Sequence, residues 1–290
     1  MKKITILFLL TFSINIVAHA QQSTEVYLFD LTKTESGFEL TNPVNASDNE
    51  GYDNQPSFTK DGKALLFAST RNEQTDILWY DIQSGNKSWL STTLGGEYSP
   101  VLTPDGTHIS AVRLDPDGLQ LLYQYSIKDK TPQVLIPDLK IGYYAWISEA
   151  TIVAFVLGEP ATLQKINVAT GKSELLQNNP GRSIHRIPGT QDFSFVDKTD
   201  PDTWIIMRSK LNDSQSVEQI TSTLPGAEDM AWIDDRFIVM GNESNLYIYD
   251  LQNKNSNKWE LLADLSNYNL NTITRLAYHN GKLAVVVNGK

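Results

Sequence analysis

The 290-residue sequence contains no cysteine. That excludes disulfide bonds, a thiol nucleophile and an acyl anchor on a processed N-terminal cysteine. Histidine is nearly as scarce, and the three beyond the N-terminal segment, His108, His185 and His279, are far apart in the chain. Dispersed imidazoles do not make the histidine-rich centre of a transition-metal enzyme. No Gly-x-Ser-x-Gly elbow is present to carry a nucleophilic serine. Phosphate-cradling loops are missing too, and the 17 glycines fall mostly at turns. No linker rich in Gly, Pro or Ser divides the chain. No stretch carries an i, i+3, i+4, i+7 apolar stripe long enough for a helix.

Long hydrophobic runs are confined to the first twenty residues. Lys2 and Lys3 precede an apolar run from Ile4 to Val17, and Ala18-His19-Ala20 is a small-x-small cleavage site. This is the pattern of a secretory signal peptide, since a spanning helix needs about 20 apolar residues and this run is shorter. Residues 1–20 are expected to be removed, leaving residues 21–290 as one domain in the periplasm or outside the cell. Losing Lys2 and Lys3 takes the formal net charge from −10 to −12. So acidic a chain is a poor partner for nucleic acid or an anionic membrane, and no second span would insert into one.

What is present is a repeat. Gln55 to Asp81 holds a short strand (Pro56-Ser57-Phe58), a turn (Lys60-Asp61-Gly62-Lys63), an apolar strand (Ala64 to Ala68), a polar loop with Arg71, and a strand ending at Asp81. Asp-Gly between apolar runs is a hairpin signal, because glycine takes positive φ without steric cost. A second copy runs from Tyr98-Ser99-Pro100 through Asp105-Gly106 to Ile127. Weaker copies open at Tyr144, Ser183 and Met230, and a sixth supplies two strands, Ile273 to Tyr278 and Leu283 to Val287. Its missing partners are expected from Glu25 to Asp30 and Phe38 to Thr41, which resemble Thr75 to Asp81 and Ser88 to Ser91. Phe67 and Val112 are read as matching second-strand positions, both buried.

Six units over residues 21–290 average about 45 residues, the size of a four-stranded blade. The expected fold is all-β: a six-bladed β-propeller of four-stranded antiparallel blades, the last closed by N-terminal strands. The Asp-Gly repeat resembles that of TolB-like and WD-repeat-like periplasmic propellers.

The resemblance implies a functional face. In such propellers the innermost strand begins at a central channel, and the loops leading into it form a rim. Carried over by register, that rim holds Asp53, Asn54 and Gln55, then Glu97, Tyr98 and Ser99, then Tyr143 and Tyr144. Arg182, Ser183 and His185 follow, then Glu228, Asp229 and Met230, and last Asn271, Thr272 and Thr274. Arg71, Arg113 and Asp115 join them from neighbouring loops. Asp53, Glu97, Glu228 and Asp229 could converge on a hard cation such as Ca²⁺ through oxygen ligands. The competing reading pairs them with Arg71, Arg113, Arg182 and Arg275 or with solvent. No acidic loop has Ca²⁺-binding spacing, so no cofactor is expected.

Trp79, Trp146, Trp204 and Trp232 fall inside strands and are expected to pack between blades. Tyr98, Tyr143 and Tyr144 are open to two readings, a platform for a sugar ring or peptide or a plug in the channel. The expected function is that of a monomeric, non-enzymatic scaffold that contacts a protein partner through the rim. Truncating Tyr144 and Arg182 together is expected to weaken capture without lowering the melting temperature. The alternative is a carbohydrate- or peptide-active enzyme using channel carboxylates, with or without a bound divalent cation.

Overall fold

The computed structural model describes residues 22–35, 37–253 and 258–289. The segment read as a signal peptide lies outside them. Six four-stranded antiparallel sheets make up the described residues, with one helical turn at Leu265–Tyr268. Among the described residues no helix is long and apolar enough to cross a membrane.

The blades follow the expected order, innermost strand first. Blade 1 is Asp53–Phe58, Ala64–Arg71, Gln74–Asp81 and Lys87–Trp89. Blade 2 is Gly96–Leu102, His108–Leu114, Gln120–Ser126 and Pro132–Ile136. Blade 3 is Ile141–Ser148, Thr151–Val156, Thr162–Asn167 and Ser173–Asn178. Blade 4 is Pro180–Arg186, Asp192–Asp197, Ile205–Lys210 and Asp213–Ser222. Blade 5 is Met230–Trp232, Phe237–Asn242, Asn245–Asp250 and Glu260–Asp264. Blade 6 joins Arg275–His279 and Lys282–Asn288 to Thr24–Thr34 and Gly37–Asn45. Its seam is continuous, with Thr24 opposite Asn288 and Asp30 opposite Lys282. The N-terminal strands thus close the ring as the sequence predicted.

Local chemistry explains the sharpest copies. In the Thr-x-Asp-Gly turns of blades 1 and 2, Thr59 donates to the Asp61 carboxylate at 2.8 Å and Thr103 to Asp105 at 2.5 Å. Each carboxylate also accepts a backbone N–H two residues on. The hydroxyls of Thr103 and Thr107 hold the Asp105 carboxyl down at about 2. Gly62 takes φ 69°, and a Cβ there would stand 2.8 Å from the His279 ring of blade 6. Only glycine meets both demands.

The hydrophobic core is a ring rather than a centre. Six clusters of buried side chains each straddle one blade boundary, among them Phe29, Val239 and Leu283 between blades 5 and 6, and Leu66, Ile77 and Ile109 between blades 1 and 2. Phe67 and Val112 are both buried. They are not matching positions, however. Phe67 packs toward blade 6 and Val112 toward blade 3. The two repeats are offset by 44 residues, which aligns Phe67 with Ala111; a one-residue slip moves a strand side chain to the opposite face.

Trp146 and Trp232 behave as expected between blades. Each donates its indole N–H to a serine on the preceding blade, Ser110 at 2.9 Å and Ser194 at 2.8 Å. Trp79 and Trp204 sit further out, partly buried, with the Lys198 ammonium 3.6 Å from the centre of the Trp204 ring.

Candidate functional site: the charged mouth of the axial channel

The innermost strands of all six blades surround one recess of about 370 Å³. Its wall changes character along its length. Where the strands begin, Gln55, Tyr143, Arg182, Asp229 and Arg275 line it; toward the hairpin end it is walled by Phe58, Trp146, Trp232, Tyr278 and His279. This is the geometry of a ligand site, an apolar hollow with a few polar groups gathered at one end.

The polar end is built by three blades. Asp229, at the start of the blade 5 strand, lies 2.5 Å from Arg182 Nη2 and 2.5 Å from Arg275 Nη1. Arg182 also donates to the Thr274 carbonyl. The Arg275 guanidinium stands 5.3 Å from the centre of the Tyr143 ring of blade 3. Glu228 accepts the Arg182 backbone N–H at 2.9 Å and lies 3.5 Å from Lys198 Nζ. It lines a neighbouring pocket rather than the channel.

His185 lines the channel below Arg182. Its Nε2 is 2.9 Å from Ser183 Oγ, which accepts the Met230 N–H. Burial pushes the imidazole down to about 4, with Arg275 adding to the effect. The ring is therefore neutral at physiological pH. Tyr52, just ahead of blade 1, meets Tyr98 edge-on with centroids 6.3 Å apart. Burial keeps its phenol protonated against the pull of Arg275 and Arg182.

Of the predicted rim residues, Asp53 and Glu97 are elsewhere, and Tyr144 borders the recess only from within a blade boundary. Asp53 and Glu97 are wholly buried and Tyr144 nearly so. Glu97 is enclosed between blades 1 and 2, accepting bonds from Ser91 at 2.8 Å, Thr93 at 2.5 Å and Tyr125 at 2.9 Å. Asp53 repeats this at the boundary of blades 6 and 1, accepting from Asn49 at 3.1 Å. Burial raises both carboxyls, Asp53 to about 6. Tyr144 donates to Ser110 at 2.8 Å from inside the boundary of blades 2 and 3. It is a core residue, so truncating it would cost stability and cannot report on capture alone.

For the two acids the cause is a bulge. Gln55 and Ser99 take φ 57° and 51°, and strand register shifts between Asn54 and Ser57 and between Tyr98 and Val101. An inserted residue reverses the alternation of faces. Side chains ahead of the bulge therefore turn into the blade boundary instead of the lumen.

The four carboxylates proposed for a cation do not converge. Of them only Asp229 lines the channel, and it is held by two arginines. Among the described residues no three His, Cys, Asp or Glu side chains are grouped to hold a metal ion. Arg71 and Arg113 pair with Asp76 and Asp115 rather than with the predicted acids. Sequence reasoning used Arg275 only as a counter-ion and missed Tyr52 as a mouth residue. The signal for Arg275 was its place at the start of an innermost strand.

The fold and its lining define a six-bladed β-propeller whose channel has one charged and one aromatic end. Solved structures with this fold include TolB from Acinetobacter baumannii, at 14% identity and TM-score 0.57, covering 83% of this chain and 65% of that one. A putative TolB from Agrobacterium tumefaciens is 13% identical with TM-score 0.66, covering 93% of this chain and 99% of that one. An oligogalacturonate lyase in complex with manganese is 12% identical with TM-score 0.58, covering 87% and 82%. At such identities the likeness is one of fold. The chain thus spans just under two thirds of the A. baumannii protein. No protein-family model matches the sequence, nor does any curated relative.

Proposed function

We propose that the protein is an exported binding propeller that engages a protein partner through the face bearing the charged mouth. Export rests on the signal-peptide pattern of residues 1–20. The observation that carries the choice of face is the distribution of exposed apolar side chains. Val44, Val134, Leu175, Val217 and Leu261 are scattered singly on outer strands, which needs no explanation. The other five, Leu94, Leu114, Leu119, Leu157 and Tyr268, all sit at the mouth end. The four leucines belong to adjoining loops and strand ends of blades 2 and 3, and Leu94 is 85% exposed.

Apolar side chains gathered on one face mark an interaction surface. The opposite, hairpin face is accounted for by turn chemistry. The test is capture of partners from an extract of the exported fraction. Leu94→Asp with Leu157→Asp should abolish specific capture while leaving the melting temperature unchanged. Lys60→Ala with Lys63→Ala, on the hairpin face, should leave capture intact. The reverse pattern would overturn the reading.

The enzymatic alternative draws on the lyase that shares the fold. Asp229 is the one predicted carboxylate available to it in the lumen. Turnover of a glycan or peptide that is lost in Asp229→Asn would favour catalysis over scaffolding.

A further inference from the structure

We infer that the channel mouth binds a small acid whose carboxylate is carried by a six-membered ring, seated carboxylate-first against Arg182 and Arg275. The inference deepens the reading above by giving the same face a second, small-molecule occupant. Asp229 shows how the site grips such a group. Its two oxygens are held by arginines from blades 4 and 6, each at 2.5 Å. One anion between two cations leaves a positive charge unmatched. Glu228 does not cancel it, because Lys198 and Arg182 both stand 3.5 Å from its Oε1. In a chain of formal charge −10, this concentration of guanidinium groups makes a local well for anions.

The donors are available as well. Arg182 directs Nε and Nη2 to Asp229 and the Thr274 carbonyl, and Arg275 directs Nη1 to Asp229. Among the described residues, Nη1 of Arg182 and Nε and Nη2 of Arg275 have no protein acceptor. A planar guanidinium fork presents two parallel N–H groups to a carboxylate, a match that lysine lacks.

The remainder of the recess selects the body of the ligand. Phe58, Trp146, Trp232, Tyr278 and His279 wall it, and the two indoles are fixed by their bonds to Ser110 and Ser194. Rigid ring faces receive the face of a six-membered ring, planar aromatic or chair pyranose, at little entropic cost. A volume of about 370 Å³ is near the small end of ligand pockets, which run from roughly 300 to 1,000 Å³. A small ring acid fits; a folded domain does not.

Calorimetric titration of the purified protein at pH 7 tests this with phenylacetate and D-galacturonate, each beside its uncharged counterpart, phenylacetamide and D-galactose. Saturable binding of one acid and not its counterpart is expected, and the acid that binds separates an aromatic source from a sugar source. Arg182→Gln with Arg275→Gln should weaken binding about tenfold or more. That double variant strips Asp229 of its partners and risks unfolding, so Asp229→Asn is the second probe. Neutralising the resident carboxylate releases both arginines, and affinity should rise several-fold, which a purely structural bridge would not produce. Three results would overturn the inference: no binding of either acid, equal binding of acid and neutral analogue, or a folded Asp229→Asn protein that binds no tighter. Protein capture is tested separately through Leu94 and Leu157, so either reading can fail while the other stands.

Discussion

The two sides of the ring treat the same position differently. In blades 1 and 2 the repeat is faithful, and acids at the start of the innermost strand are sealed against the preceding blade. Ser47 and Ser91 occupy equivalent places there, accepting the N–H groups of Val26 and Ile77, both at about 2.9 Å or less. Asn49 and Thr93 likewise bond the equivalent acids Asp53 and Glu97. Around blades 4, 5 and 6 the repeat is broken, and Arg182, Asp229 and Arg275 at the strand starts face the lumen. A polar residue that recurs with the repeat is holding the repeat together. One that departs from it is free for another task.

The largest test of this contrast is at the seam. Deleting residues 22–45 removes two strands of blade 6 and uncovers the edge at Lys282–Asn288. Cooperative melting should be lost and aggregation should follow; a deletion that melts like the parent would show that the termini do not share a sheet. Next comes the core beside the faithful blade 1. Phe67 is fully buried, and Phe67→Ala should cost about 3–5 kcal/mol by chemical denaturation. A loss under ~1 kcal/mol is the surface range and would remove Phe67 from the boundary of blades 6 and 1.

Protonation sharpens the comparison further, because the two sides hold shifted groups of opposite sign, raised carboxyls on one and a lowered imidazole on the other. The folded Asp53 carboxyl titrates at about 6, above its ordinary 3.8. Its contribution is fully present below about pH 4 and is lost as pH rises through 6. The folded His185 imidazole titrates at about 4, below its ordinary 6.5. Its contribution is present above pH 6.5 and is lost as pH falls toward 4. The two slopes oppose each other between pH 4 and 6. Asp53→Asn should therefore raise stability at pH 7 by about 2–3 kcal/mol and tilt the profile toward climbing with pH relative to the parent. His185→Gln should tilt it the other way. Identical profiles in both variants would mean that neither group is sealed as described. The smallest effect belongs to Lys60→Ala with Lys63→Ala, exposed turn residues whose loss should change stability by under ~0.5 kcal/mol.

The propeller was legible because the Thr-x-Asp-Gly turns and alternating strands recur in blades 1 and 2. Blade count, closure and the mouth face follow from that period. The site was only half legible. Arg182, His185, Asp229 and Tyr143 were placed at the channel and line it. Asp53 and Glu97 were placed there and are buried, since a period-2 reading cannot see the left-handed residues at Gln55 and Ser99 that reverse the faces; Tyr144 borders the channel but is nearly buried between blades. The repeat held a warning: Ser47 and Asn49 anticipate Ser91 and Thr93 ahead of each misplaced acid. Arg275 had no such template, because blade 6 is split between the two ends of the sequence.

That split sets an order of events. During synthesis Thr24–Thr34 emerges well before its inner partner, Lys282–Asn288. Five blades can pair with sequence neighbours as they appear, while the first strands out have only their hairpin mate, Gly37–Asn45. The ring cannot shut until about 260 further residues have followed, and closing so long a loop slows the final step. Through that interval the unclosed blade presents apolar strand edges, the condition in which a folding chain is most open to misassociation and to chaperone binding.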